Sequence, residues 1–166
     1  MSKFVPTILA ALFLFGSTAA FAQIGEDTVE YDERVEAALQ DADYEWEIDS
    51  DGDFRAVLEF TDDRSQVLFV NSKTSMLGQM EVREVWAVAA TSKVGFSSEV
   101  MKRLLEASGS VKLGGWEINT MGDQDLAIFR AKISANTSAS ALKTVVRAVA
   151  ITADEMEKEL LGTDEL

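Results

Sequence analysis

Cysteine and histidine are both absent from this chain. The first absence removes disulfides, thiolate nucleophiles, iron–sulfur clusters and cysteine-ligated zinc. The second removes the commonest general base and the commonest metal ligand. Proline occurs once, at Pro6, so the remainder has no cis-proline turn and no polyproline docking segment. Positive charge is scarce: 15 Lys and Arg stand against 29 Asp and Glu, a net charge of −14. That balance argues against neutralising the phosphates of a nucleic acid or docking on an anionic membrane. Apolar residues are plentiful, at 47% of 166 positions. This suffices for one domain with a real core and is too much for a disordered acidic tail.

Residues 1–22 read as a secretory signal peptide. Lys3 supplies the positive start, Ile8 to Phe15 is an uncharged apolar core of eight residues, and Ala20-Phe21-Ala22 is a small-x-small cleavage pattern. A membrane-spanning helix needs roughly 20 apolar residues, so a retained anchor is disfavoured. Cleavage after Ala22 removes Lys3 and takes the net charge from −14 to −15. The expected product is exported, to the periplasm of a bacterium, with no stable membrane anchor.

The remainder divides into a flexible N-terminus (23–30), one domain (31–162) and a short tail (163–166). Tyr31, Val35, Ala38, Leu39 and Ala42 recur at helical spacing. Tyr44 to Ile48 then alternates apolar residues with carboxylates, as a strand with one buried face does. Asp51-Gly52 turns the chain into a second strand, Phe54 to Phe60, and Asp-Gly is a strong hairpin signal. Asp62-Asp63 marks another turn before the strand Val67 to Val70. Lys73 to Gly78 reads as a loose connection, and Glu81 to Ala90 as a long strand with Val82, Trp86 and Val88 on one side. A second helix is capped by Ser97, carries Glu99 in its first turn and ends at Gly109, with Val100, Met101, Leu104 and Leu105 as its buried stripe. Strands follow at Val111 to Asn119 and Leu126 to Ile133, and a long helix runs from about Ser138 to Leu161. The predicted fold class is α+β: a four-strand antiparallel meander and two further strands packed against helices, in the order α-β-β-β-β-α-β-β-α.

This order of elements resembles the YbjN-domain family over roughly Tyr31 to Leu161. The likeness rests on the opening helix, the Asp-Gly turn, the capped helix running into Val111-Lys112-Leu113-Gly114-Gly115-Trp116-Glu117-Ile118, and the last helix through Ala153-Asp154-Glu155-Met156. Members of that family share the fold of type III secretion chaperones. The resemblance implies a small protein-binding or regulatory module without established enzymatic activity, and it offers no catalytic residues. It also implies a homodimer, because secretion-chaperone folds commonly pair. Secretion chaperones act in the cytosol, whereas this chain reads as exported, so what carries over is the fold and the habit of binding partners.

Candidate chemistry is thin. Asp49-x-Asp51-Gly52-Asp53 suggests a calcium loop, but an EF-hand puts Gly sixth and a bidentate Glu twelfth. Counted from Asp49, Gly52 is fourth and Phe60 is twelfth, so a hairpin turn is the better reading. Glu45 with Glu47, and Asp62 with Asp63, are the carboxylate pairs a hydrolase would need across a cleft; alternation on a strand more often makes a solvated face. No GxGxxG or Walker motif accompanies Gly109 or Gly114-Gly115, and no cofactor or metal is implied. Trp86 and Trp116 are the candidate partner-binding residues, since large aromatics dominate interface hot spots, although core is their commoner fate. The expected function is therefore an exported non-enzymatic protein-binding or chaperone-like module with an unidentified protein partner. The alternatives are a small-ligand carrier with a pocket lined by Phe54, Phe69, Trp86 and Phe129, and, more remotely, a carboxylate hydrolase.

Overall fold

The computed structural model describes residues 29–61 and 63–164. In chain order the elements are α1 (Glu33–Leu39), β1 (Glu45–Ile48), β2 (Phe54–Glu59), β3 (Ser65–Val70), β4 (Ser75–Leu77), β5 (Met80–Ser92), α2 (Ser98–Ser108), β6 (Gly115–Met121), β7 (Gln124–Ser134) and α3 (Ala139–Leu160). The strands form one antiparallel sheet in the spatial order β1-β2-β3-β5-β7-β6, with β4 folded back along the start of β5. The α+β class and the order of elements are those expected from the sequence. One strand was not: Ser75–Leu77, read as a loose connection, pairs with Met80–Val82 in a small hairpin. Gly78 supplies its turn at φ +63°. The signal-peptide segment, residues 1–22, lies outside the described residues. No helix among the described residues is long and apolar enough to cross a membrane.

The alternation read along the strands decides which face is covered. Phe54, Ala56 and Leu58 on β2, Leu68 and Val70 on β3, and Val85, Ala87 and Ala89 on β5 are buried. They meet Leu142, Val146, Val149, Ala150 and Ala153 of α3 in a single cluster that also takes in Val35 and Leu39 of α1. The register shifts in β5 between Val88 and Ala90, so that Ala89 and Ala90 are both buried. The buried Gln66 amide donates to the carbonyl of Val88 at this point, 3.0 Å away. All three helices cover this one face, with Ser97 and Ser138 accepting from Val100 and Ala141 as N-caps.

Three arginines tie the helices to the sheet. Arg83 of β5 is 1% exposed and pairs with Asp32, the N-cap of α1, while donating to the Asn71 carbonyl. Arg34 joins Asp32 to Glu81 at 2.8 Å, and Trp46 donates its indole N–H to the Leu39 carbonyl at the other end of α1. At the opposite end of the sheet Arg64 donates to Asp154 at 2.6 Å and to the Thr163 carbonyl at 2.7 Å. Asp164 accepts from the Ser65 N–H, so Thr163 and Asp164, expected as tail, belong to the body. Glu30 also belongs to it: its carbonyl lies where a side chain at Gly52 would stand, 2.0 Å from an added Cβ.

Both carboxylates beside Arg34 titrate low. The Arg34 guanidinium, helped by Arg83, holds Asp32 well below the usual carboxylate range, and Arg34 with the Thr74 hydroxyl holds Glu81 at about 2. Because these folded values lie below the unfolded ones, the stability they supply is complete above the unfolded carboxylate range, near about pH 4. It is lost as pH falls through the folded values. Acid unfolding followed by circular dichroism is expected below about pH 4, with little change between about pH 5 and 8. Asn is as good an N-cap as Asp, so Asp32→Asn isolates the charge on Arg83. Chemical denaturation of that variant is expected to show a loss of about 2 kcal/mol, less than a fully broken buried pair because the Asn71 carbonyl still accepts from Arg83.

Candidate functional site

α2 meets β6 along the outer edge of the sheet. Ser108 fixes the join: its hydroxyl accepts from the Trp116 N–H at 2.8 Å and donates to the Leu104 carbonyl at 3.0 Å. Gly114, at φ +82°, brings the chain into β6 against β7, where an added Cβ would stand 2.6 Å from the Arg130 carbonyl. Only glycine fits that approach. β6 then pairs with β7, from Gly115↔Arg130 to Met121↔Gln124, and no strand among the described residues pairs with its other edge.

Next to that edge the surface is apolar. The sequence predicts Val100, Met101, Leu104 and Leu105 as one buried stripe, and the structure divides them. Leu104 and Ala107 are buried, whereas Met101 is 45% and Leu105 74% exposed. The core-facing row of α2 is 100, 104 and 107. Residues 101, 105 and 108 form the next row, and since Ser108 touches β6, Met101 and Leu105 lie on the same flank. Ile118 sits opposite Ala127, on the helix-covered side of β6, and is still 37% exposed. Met121 at the end of the strand is exposed as well. These residues escape sequence reasoning because a helix with two adjacent apolar rows gives no sign of which row the core accepts.

The two candidate tryptophans lie on opposite faces of the sheet. Trp116 faces the helices, with its ring centroid 5.2 Å from Phe129 and its indole N–H buried without a hydrogen-bond partner. It serves the packing of α2 on β6. Trp86 points to the uncovered face, stacks on Phe69 at 4.4 Å and 18°, and donates to Asn71 Oδ1 at 2.7 Å. The Arg130 guanidinium lies 5.5 Å from its ring centre and is itself held by Glu84 and Glu117.

Among the described residues, the other candidate groups lie apart from one another. Phe54 and Phe129 are core, while Phe69 and Trp86 are on the far side of the sheet, so these four residues do not line a common pocket. Strand alternation separates them. Asp49 Oδ1 accepts from the N–H groups of Asp51 and Asp53, the geometry of a turn, and Gly52 takes φ +84°. Glu45 and Glu47 are exposed side by side on β1, and Glu47 pairs with Arg55 at 3.1 Å. Asp62 lies outside the described residues; its neighbour Asp63 takes φ +58° in the turn. A Ser-x-x-Lys spacing, Ser140 to Lys143, falls in the first turn of α3, where the Ser140 carbonyl accepts from Thr144. A depression of about 750 Å³ beside α1 is lined by Asp32, Arg34, Asp51 and Ser72, among others. Asp32, Arg34 and Ser72 there are already engaged in the bonds that hold α1.

No family model matches the chain, and no curated protein matches it in sequence.

The join between α2 and β6 depends on Gly114. Gly114→Ala combines a disfavoured backbone with a clash against β7, and thermal denaturation is expected to show a loss of about 2 kcal/mol.

Proposed function

We propose that this chain is an exported, non-enzymatic protein-binding module of the YbjN type. In this reading its first partner is a second copy of itself, joined edge to edge through β6. Export is supported by the charge and apolar pattern of Met1 to Ala22, and the YbjN reading by the order of the elements. The observation that carries the pairing is the free edge of β6 lying beside the exposed Met101, Leu105 and Ile118.

The two edges of the sheet are unlike. β1 has four residues, and two are glutamates, which repel a second strand laid against them. β6 has seven residues, no proline and a single charge, Glu117. An antiparallel pair of β6 strands about a two-fold axis at Ile118 sets Glu117 opposite Asn119, Trp116 opposite Thr120 and Gly115 opposite Met121. No like charges meet. The same axis brings the two α2 helices together above the joined strands and covers Met101 and Leu105 of both copies. α2 carries Glu99 and Glu106 against Lys102 and Arg103, so it is neutral in a chain of net charge −14. Like-charge repulsion between copies is therefore least on this surface. The joined body acts by contact, as a regulatory or chaperone-like partner of other proteins.

Light scattering on the mature chain at micromolar concentration should give the mass of two chains. Leu105→Glu places a carboxylate on the pairing surface and leaves the core intact; its mass should fall to that of one chain with an unchanged far-ultraviolet spectrum. A single-chain mass for the unmodified protein would remove the pairing.

A further inference from the structure

No helix among the described residues packs on the second face of the sheet, where Ile128, opposite Val88, is buried among its neighbours on the sheet. A bare face is ordinary in antiparallel sheets and is usually polar. Here a row of register partners crosses six strands of the sheet: Glu47, Arg55, Phe69, Trp86, Arg130 and Gly115. Its centre is the Phe69–Trp86 stack, and Val57, Val67 and Val88 continue the same face, each half-buried. The result is a flat apolar strip along the middle strands.

The two margins of this strip differ in charge. Over β7 and β6, Arg130 and Lys132 are paired with Glu84, and Arg130 also with Glu117, so that margin is satisfied within the sheet. Over β1 and β2, Arg55 is engaged with Glu47, while Glu45 and Glu59 are exposed and have no ion pair among the described residues. An apolar strip with free carboxylates along one side is complementary to a helix that is apolar beneath and basic along one flank. A helix seated there completes a three-layer packing, with its long axis near the strand direction.

We propose that the bare face receives an amphipathic helix of a partner protein, apolar toward Phe69, Trp86 and Val67 and basic along the flank over Glu45 and Glu59. This docking uses the opposite side of the sheet from α2 and does not depend on pairing through β6.

A synthetic amphipathic peptide of leucine and lysine is the probe, and the same pattern in leucine and glutamate is its control. Titration of the full mature chain at physiological salt should give binding to the lysine peptide and none to the glutamate peptide. Trp86→Glu should weaken binding about tenfold or more, although it makes the protein more acidic. Attraction to the general negative surface would hold or rise in that variant, and that result would overturn the proposal. So would failure of the unmodified chain to bind the lysine peptide. If Trp86→Glu does not fold, Val67→Glu tests the same strip. The double variant Glu45→Lys, Glu59→Lys should also lose binding. Leu105→Glu should keep it, which separates this surface from the pairing surface.

Discussion

One-sided cover governs this molecule. α1, α2 and α3 all pack on the same face, so the period-two alternation of every central strand becomes a division between core and surface. The division is sharpest along β5, where Val85, Ala87 and Ala89 are buried and Glu84, Trp86 and Val88 are not. The residues chosen for the covered side are small. Alanines at Ala56, Ala87, Ala127 and Ala131 of the sheet share one core cluster with Ala150 and Ala153 of α3. Among these small residues Phe54 and Phe129 are the large aromatics of the core, while Phe69 and Trp86 lie on the far face.

A strongly acidic chain has to place its few cations with care, and the arginines carry most of that burden. Arg83 and Arg34 gather Asp32 and Glu81 at the start of α1, and Arg64 gathers Asp154 with the last turns beyond α3. Each cluster links segments far apart in sequence: residues 32 to 34 with 81 to 83, and residue 64 with 154 and 164. Arginine suits the task because its planar fork satisfies several acceptors at once and stays charged when buried. The lysines, by contrast, lie mostly in solvent, as at Lys93 and Lys102.

Much of this was legible in the sequence where a local rule and the tertiary environment agreed. The Asp51-Gly52 hairpin, the Ser97 and Ser138 helix starts and the two sides of Glu81 to Ala90 all follow from short-range chemistry that the fold has no reason to override. Three readings needed information that a linear pattern does not hold. Ser75–Leu77 is only three residues long and exposed, so neither periodicity nor burial announces it as a strand. Met101 and Leu105 are as apolar as Val100 and Leu104, and only the position of β6 decides which row is covered. Trp86 and Trp116 look alike on their strands, yet they sit opposite consecutive residues of the β7 strand between them, Arg130 and Phe129, and so lie on opposite faces.

The surfaces left over form a pattern of their own. The edge at β1 is short and lined by glutamates, which keeps other strands away. The edge at β6 has no such guard, although solvent-exposed leucine and methionine beside a free strand are a hazard for any protein that does not cover them. A chain that carries 29 acidic residues leaves Met101 and Leu105 of its neutral helix α2 in solvent. The carboxylates that sit closest to arginine, among them Asp32, Glu81 and Asp154, join elements. Where charge is balanced, along α2, is also where apolar side chains stand in solvent, and the two together set this surface apart in an acidic chain.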